Sequence, residues 1–494
     1  MIMGAVVAIL LLVQEPADDE KKADGLMKKA EALIEAKDFE LARGVYEVVA
    51  KKYPSTKAAK LASHRAGDNA VLDCRIIVQN GPSENRIDVH VMGDSFRYTN
   101  AEQRSFFGIS KGVFTQLVGG DCLREYQNYF NGWRVLLASK EQGTSSDTKT
   151  FDTALGVRSN GGGYSVDGRK SAEVRTRLAC DDGQWLVLVR MGGGVDSGGG
   201  GIVTWTGGGT LVHEFGHAFG ALGDEYTSEP GPGPQRPIGR GLNYSDTPDL
   251  AKVAWAHWFE KPEIARAARL GAFEGANAHE KGQWKPTSGG CTMGSGGGGA
   301  FCPVCREQMV LQIYLRVNPI DEASPSAAAT KVKLKKAGDA WKVDDADALP
   351  WILPLQPFTH KLTVRWRLKK MDAPAIDTPT GGNGEPAPPM PSPEPHTPPA
   401  PQPRTRSFAR LPFEGQDLKS NPRPDRRGRA VERPLMTDAK IEPGRYVLTV
   451  EVRDEMSDEM TDPETKRKVK VPWVLKDPTN ALVERMAWEV AFTE

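Results

Sequence analysis

Two histidines four residues apart, His213 and His217, enclose Glu214 in the string His213-Glu214-Phe215-Gly216-His217. Positions four apart share one face of a helix, so the two imidazoles can converge on a single metal ion. Zn²⁺ is the usual occupant of such an HExxH pair. Glu214 stands beside the first ligand, where its carboxylate can take the proton of a water that the metal has acidified to a pKa of roughly 7. This is chemistry for hydrolysing a peptide bond. Gly220 follows three residues after His217, where the helix must stop. Glycine tolerates the left-handed conformation that such a stop commonly uses. The chain then brings Asp224 and Glu225 within reach of the same metal. Two histidines and one carboxylate, with a water in the fourth position, form a catalytic zinc set rather than a closed structural one. The bland reading, a surface helix with two unremarkable histidines, leaves this continuation unexplained.

The whole string HEFGHAFGALGDEY, residues 213–226, resembles the IgA-peptidase family of zinc metallopeptidases, and its first part is similar to the metzincin motif. The common metzincin spacing puts the third ligand at 223, where this chain has Gly223, with Asp224 one residue further on. A second segment, Cys291-Thr292-Met293-Gly294 followed by Phe301-Cys302-Pro303-Val304-Cys305-Arg306, resembles the methionine turn and FCxVC element of the IgA-peptidase family. Gly93-Asp94, Tyr98-Thr99 and Phe130-Asn131 extend the resemblance over roughly residues 70–320. It implies His213, His217 and Asp224 as zinc ligands, Glu214 as general base and Met293 as the residue beneath the metal. Glu225 stays open as an alternative third ligand, and no oxyanion-stabilising group can be named.

The chain of 494 residues is long enough for two or three domains. Its 64 basic and 64 acidic residues cancel, which gives no reason to expect nucleic acid as a partner. The partner implied is a protein or peptide substrate. Residues Met1–Val13 are almost wholly apolar and give way to Asp18-Asp19-Glu20-Lys21-Lys22. A run of that length is too short to cross a bilayer comfortably and fits a signal-like or anchor segment over 1–18. The expected location is therefore secreted, periplasmic or cell-envelope. In an exported protein the six cysteines can form disulfides, and Cys291 is expected to bridge to Cys302 or Cys305. The rival is a second, thiolate-bound zinc, for which three cysteines without a nearby histidine are an incomplete set.

These residues need elements to position them. Residues 19–68 read as a helical hairpin resembling one tetratricopeptide repeat, which must dock elsewhere because a solenoid needs about three. Residues 70–320 read as an α/β metzincin-like catalytic domain with a mixed sheet. Its strands are expected around Ile87–Val91 and over Trp133–Ala138, Val174–Ala179 and Trp185–Arg190, with a Thr99/Glu102 capping box opening a helix. Within the glycine-rich run Gly192–Gly209, Ile202–Thr206 reads either as an edge strand on which a substrate could add or as part of a flexible linker. Asp249–Leu270 reads as helical, with Trp255 and Trp258 in the core. Residues 330–494 read as a C-terminal β-sandwich with a Pro/Arg-rich disordered insertion over 372–434. There Arg423, Arg426, Arg427 and Arg429 form either a solvated linker or an attachment to an anionic cell surface. Pro478–Val490 is expected as a short helix leading to a last strand. The function these readings support is an exported zinc endopeptidase. The rivals are a surface-binding scaffold with a vestigial metal site and a zinc amidase acting on cell-wall peptides.

Overall fold

The computed structural model describes residues 16–160, 163–178, 183–190, 196–228, 236–294, 299–326, 329–371, 413–424, 429–436, 439 and 441–494. The apolar N-terminal run, Cys180, Arg426, Arg427 and residues 372–412 of the insertion lie outside the described residues.

Where a two-helix hairpin was expected, three helices pack together: α1 (Pro16–Glu35), α2 (Phe39–Lys52) and α3 (Lys57–Ala66). Asp38 caps α2 by accepting the Leu41 N–H, and Thr56 caps α3 by accepting the Ala59 N–H. The third helix exists because Ala58, Ala59, Ala62 and Ala66 give it a small buried face. The bundle lies on the central domain through bonds such as Arg104 Nε to the Lys37 carbonyl (2.7 Å) and Arg75 Nη1 to Glu35 (2.9 Å).

The central domain is a mixed α/β structure. Its strands are β1 (Ala70–Val78), β2 (Ile87–Asp94), β3 (Phe130–Ala138), β4 (Gln184–Val189), β5 (Ser197–Gly199) and β6 (Ile202–Trp205). They lie in the order β1-β3-β2-β4-β6-β5. The four inner strands run parallel, and β1 and β5 close the two edges antiparallel. The expected edge strand at 202–206 is therefore an inner one, and Ser197–Gly199 holds the edge. Helix α4 (Asn100–Val118) packs on the sheet. Thr99 caps it, while Glu102 reaches back to the Arg97 N–H (2.7 Å) rather than to that of Thr99. The strand expected over Val174–Ala179 is replaced by helix α5 (Gly168–Arg175). Asp167 starts this helix by accepting the Arg169 and Lys170 N–H groups, and only Val174 is buried, so no alternating face exists. In the Asp249–Leu270 region a short turn of helix at Ala256–Glu260 is followed by a second helix, Pro262–Ala267, begun at its proline. Trp255 and Trp258 are fully buried, and an antiparallel hairpin of β7 (Phe273–Ala276) and β8 (His279–Lys285) follows.

The C-terminal region differs from a sandwich of two separate sheets. One nine-stranded sheet runs β9 (Ile320–Ser324), β12 (Trp351–Pro354), β15 (Ala430–Leu435), β14 (Gln416–Pro424), β13 (Thr363–Lys370), β16 (Gly444–Arg453), β19 (Val483–Thr493), β10 (Ala329–Ala337), β11 (Ala340–Val343). Strand β14 pairs with β13 on one side and β15 on the other, so the hydrogen bonding is continuous. The sheet curls around one core: Ile320 and Ile352 from one end meet Val332 and Leu334 from the other over Trp366 and Trp488. Part of the expected disordered insertion is thus the ordered β14–β15 hairpin. Its Pro422 and Pro424 are tolerated because β13 pairs only with Gln416–Leu418. The helix expected within Pro478–Val490 is absent. Trp488, Val490 and Phe492 are buried at every second position, and β19 pairs along its length with β16.

The hairpin of β17 (Ser457–Thr461) and β18 (Lys468–Pro472) leaves this sheet and contributes Val471 to the central core, as Trp473 and Leu482 do beyond it. A buried Arg86–Asp321 pair joins the two regions through two bonds of 2.7 and 2.8 Å. So does a polar cluster in which the hydroxyls of Tyr126 and Tyr314 donate to Asp454 (2.7 Å each). Among the described residues no helix is long and apolar enough to cross a membrane.

Candidate active site

Helix α6 (Leu211–Gly220) follows β6 and carries the histidine motif. Phe215 and Phe219, four apart, stack on one face (4.9 Å between centroids) and are buried near Phe130. His213 and His217, also four apart, occupy another. The apolar anchor thus fixes where the imidazoles point.

The helix ends at Ala221, which is left-handed at φ 52°. Gly220 was expected to take that conformation; its requirement is spatial instead. A Cβ there would lie 2.6 Å from Met309 Sδ. The reversal brings in Asp224, whose Oδ1 is 3.2 Å from His213 Nε2 and 3.1 Å from His217 Nε2. The two Nε2 atoms are themselves 3.1 Å apart. On the far side of each ring, His213 Nδ1–H donates to the Thr292 carbonyl (2.9 Å) and His217 Nδ1–H to the Leu222 carbonyl (2.6 Å). A carbonyl can only accept, so each neutral ring has its proton on Nδ1 and a lone pair on Nε2. Three lone-pair donors therefore face one point, and buried Asp224 Oδ1 has no hydrogen-bond partner. This donor set fits a divalent cation held by two imidazoles and a carboxylate.

Burial by itself would raise the Asp224 carboxyl. In the metal-free site, where the imidazoles can carry a second proton, His213, His217 and Arg236 outweigh it and hold the group well below the carboxylate range. Arg236 Nη1 lies 2.5 Å from Asp224 Oδ2. Glu214 is buried beside the histidines, and that burial pushes its carboxyl up against their opposing pull. Tyr226 lies with its ring 6.0 Å from that of His213, and burial and Asp224 push its hydroxyl up to about 12.

Met293 is fully buried beneath the helix. A Cβ on Gly216 would come within 2.6 Å of its sulfur, so the glycine between the histidines is what lets the methionine turn lie so close. The Glu225 N–H donates to the Met293 carbonyl (2.7 Å), tying this turn to the third-ligand loop.

Glu225 does not approach the histidines. Its side chain turns the other way, where Cys305 Sγ is 2.9 Å and Cys302 Sγ 3.6 Å from Oε1. The disulfide expected from Cys291 to Cys302 or Cys305 is not formed: all three are free thiols around that carboxylate. Asn243, fully buried, was missed in the sequence. Its amide accepts from the Gly223 N–H (2.7 Å) and donates to the Gly223 carbonyl (2.8 Å) and to Glu225 Oε1 (3.1 Å). No spacing signal marks it, since it acts on the loop from 20 residues away. Thr292 was also missed as a partner of His213, because its backbone carbonyl does the work. Two further histidines lie outside the site: His257 pairs with Glu307 (2.7 Å) and His279 with the Arg236 carbonyl (2.7 Å). Asp94 is a structural hub, accepting from Thr153, Leu155 and Val157.

The family model described as IgA Peptidase M64 matches residues 76–261. The matched stretch contains the histidine motif and Asp224 and ends before the methionine turn. No curated protein matches the chain.

Proposed function

We propose that the chain is a zinc endopeptidase of metzincin-like design, a reading supported by the match of residues 76–261 to the IgA Peptidase M64 family model. In this reading His213, His217 and Asp224 hold the zinc and Glu214 is the general base. The observation that carries it is the convergence of His213 Nε2, His217 Nε2 and Asp224 Oδ1 within 3.2 Å of one another, with buried Glu214 alongside. Zinc held there would polarise the scissile carbonyl and acidify the attacking water. Glu214 takes the proton of that water and later delivers it to the leaving amine, a role suited to a carboxyl raised by burial. Thr292 and Leu222 hold the imidazoles in the tautomer that leaves Nε2 free. The substrate lies extended along edge strand β5, which packs against the active-site helix.

The test is a peptide-library digest with wild type and Glu214→Gln side by side, with metal content measured on both. Glu214→Gln is expected to keep its zinc and lose roughly 10²–10⁴-fold in turnover. Cleavage by the variant at the parent rate would remove Glu214 from the mechanism.

We further propose that the protein is exported, either secreted or held in the cell envelope, on the strength of the apolar run Met1–Val13. Fractionation with N-terminal sequencing checks it, and recovery of the protein in the cytosol with Met1 intact would count against it.

A further inference from the structure

The carboxylate next to the third histidine-site donor has no role in the chemistry above, and the three thiols around it have none either. Glu225, Cys291, Cys302 and Cys305 each offer a ligand atom, and those atoms all lie within 4.8 Å of one another. All four residues are buried, Glu225 at 2% exposure and Cys305 at 0%. Glu225 Oε2 has no hydrogen-bond partner. Cys302 is the residue that opens helix α7 (Pro303–Tyr314), and Cys305 lies in its first turn, so the Cys-x-x-Cys pair sits where a helix N-terminus favours thiolates. Cys291 comes from the methionine turn, and its sulfur accepts the N–H groups of Met293 (3.4 Å) and Cys302 (3.3 Å). One sulfur solvated by backbone amides, two more on a two-residue spacing and a carboxylate supply the four ligands that a closed tetrahedral zinc site takes.

We propose that Glu225, Cys291, Cys302 and Cys305 bind a second metal ion, a structural zinc, behind the active site. A disulfide between any two of these cysteines would leave the third thiol and a buried carboxylate facing each other, whereas a metal engages all four groups. The site explains why the two adjacent carboxylates diverge: Asp224 serves the histidines and Glu225 the sulfurs. It also ties down the stretch Cys291–Met293, whose Thr292 carbonyl orients His213. The metal thereby positions the catalytic ligands without touching substrate. The inference does not rest on the peptidase reading, since it uses none of the histidine-site donors.

The experiment is zinc content per chain on the full-length protein, together with alkylation and mass measurement of the cysteines. Wild type is expected to hold two zinc ions. His213→Ala/His217→Ala and Cys302→Ser/Cys305→Ser are each expected to hold one. Cobalt exchanged into the histidine variant is expected to show thiolate-to-metal charge-transfer absorption. Should the cysteine variant fail to fold, the histidine variant and its cobalt spectrum decide alone. A histidine variant free of metal, or a disulfide joining Cys291 to Cys302 or Cys305, overturns the proposal. One zinc in both wild type and the histidine variant would support the cysteine site and remove the catalytic zinc instead.

Discussion

The smallest side chains in the site govern its geometry as firmly as the charged ones. Gly216 has no hydrogen to spare toward Met293, whose sulfur would stand 2.6 Å from a Cβ there, with Phe301 at 3.2 Å. Both neighbours are buried, so displacing either disturbs the core around it. Gly216→Ala is therefore expected to destabilise the protein by about 1–3 kcal/mol through overpacking. A thermal melt reads this directly, and an unchanged midpoint would mean that the methionine turn is not packed against the helix as described. The pair Asp224 and Glu225 makes the complementary point. Two like side chains, adjacent in the chain, end in different surroundings: Asp224 at the two histidines and Glu225 among the sulfurs.

At the level of elements, the proposed substrate edge β5 is set relative to the histidines by its contact with α6. A Cβ on Gly198 would fall 2.0 Å from the Glu214 carbonyl oxygen, so strand and helix touch backbone to backbone. Neither partner is a flexible side chain that could move aside. Gly198→Ala should push the edge strand off the helix and lower kcat/KM at least ten-fold, because positioning errors of about 1 Å already cost on the order of 10²-fold. Gly199→Ala is the control, since nothing lies within 4 Å of a Cβ there. Equal activity in the two variants would argue against substrate lying on this edge. The Arg-rich hairpin shows how an element can be misjudged by composition. Despite its proline and arginine content it forms paired strands, in which Arg433 is buried beside Asp347 and Arg429 pairs with Glu322 at the surface.

On the scale of the whole molecule, the central domain and the curled sheet are joined by a buried polar cluster. His360 Nδ1 lies 2.7 Å from Glu125 and its Nε2 3.0 Å from Asp454. Burial works to lower the His360 pKa, but Asp454 and Glu125 prevail and raise it above 6.5. Burial likewise opposes ionisation of Asp454 and Glu125, and their hydrogen bonds hold both below their ordinary values. A raised histidine stabilises the fold fully below its unfolded value near 6.5 and loses that contribution as pH climbs through the folded one. The depressed carboxylates stabilise above their unfolded values near 4 and lose that contribution on acidification. The stability advantage of wild type over His360→Gln should therefore be greatest between about pH 4 and 6.5 and shrink above it. Urea titrations across that range check it, and a constant difference between the two proteins would show that His360 is not charged in the junction.

The catalytic motif could be read from the chain because its geometry is local: a four-residue spacing puts His213 and His217 on one helix face whatever the rest of the molecule does. Three strands of the mixed sheet were legible for the same reason, β2 from the alternation of Ile87, Val89 and Val91, and β3 and β4 from the apolar stretches Trp133–Ala138 and Trp185–Arg190. What needed the tertiary structure was every relation across long separations. Which of Asp224 and Glu225 meets the histidines depends on the path after Ala221 and on Asn243 holding Gly223. Whether Cys291 pairs with a thiol or shares a carboxylate depends on the methionine turn meeting the start of α7. The strand over Val483–Thr493 was misjudged because its pairing comes from distant β16, and the β14–β15 hairpin because its proline-rich composition does not show that its two strands pair with each other and dock on β13. Spacing decides what one helix can present; only packing decides what is brought to face it.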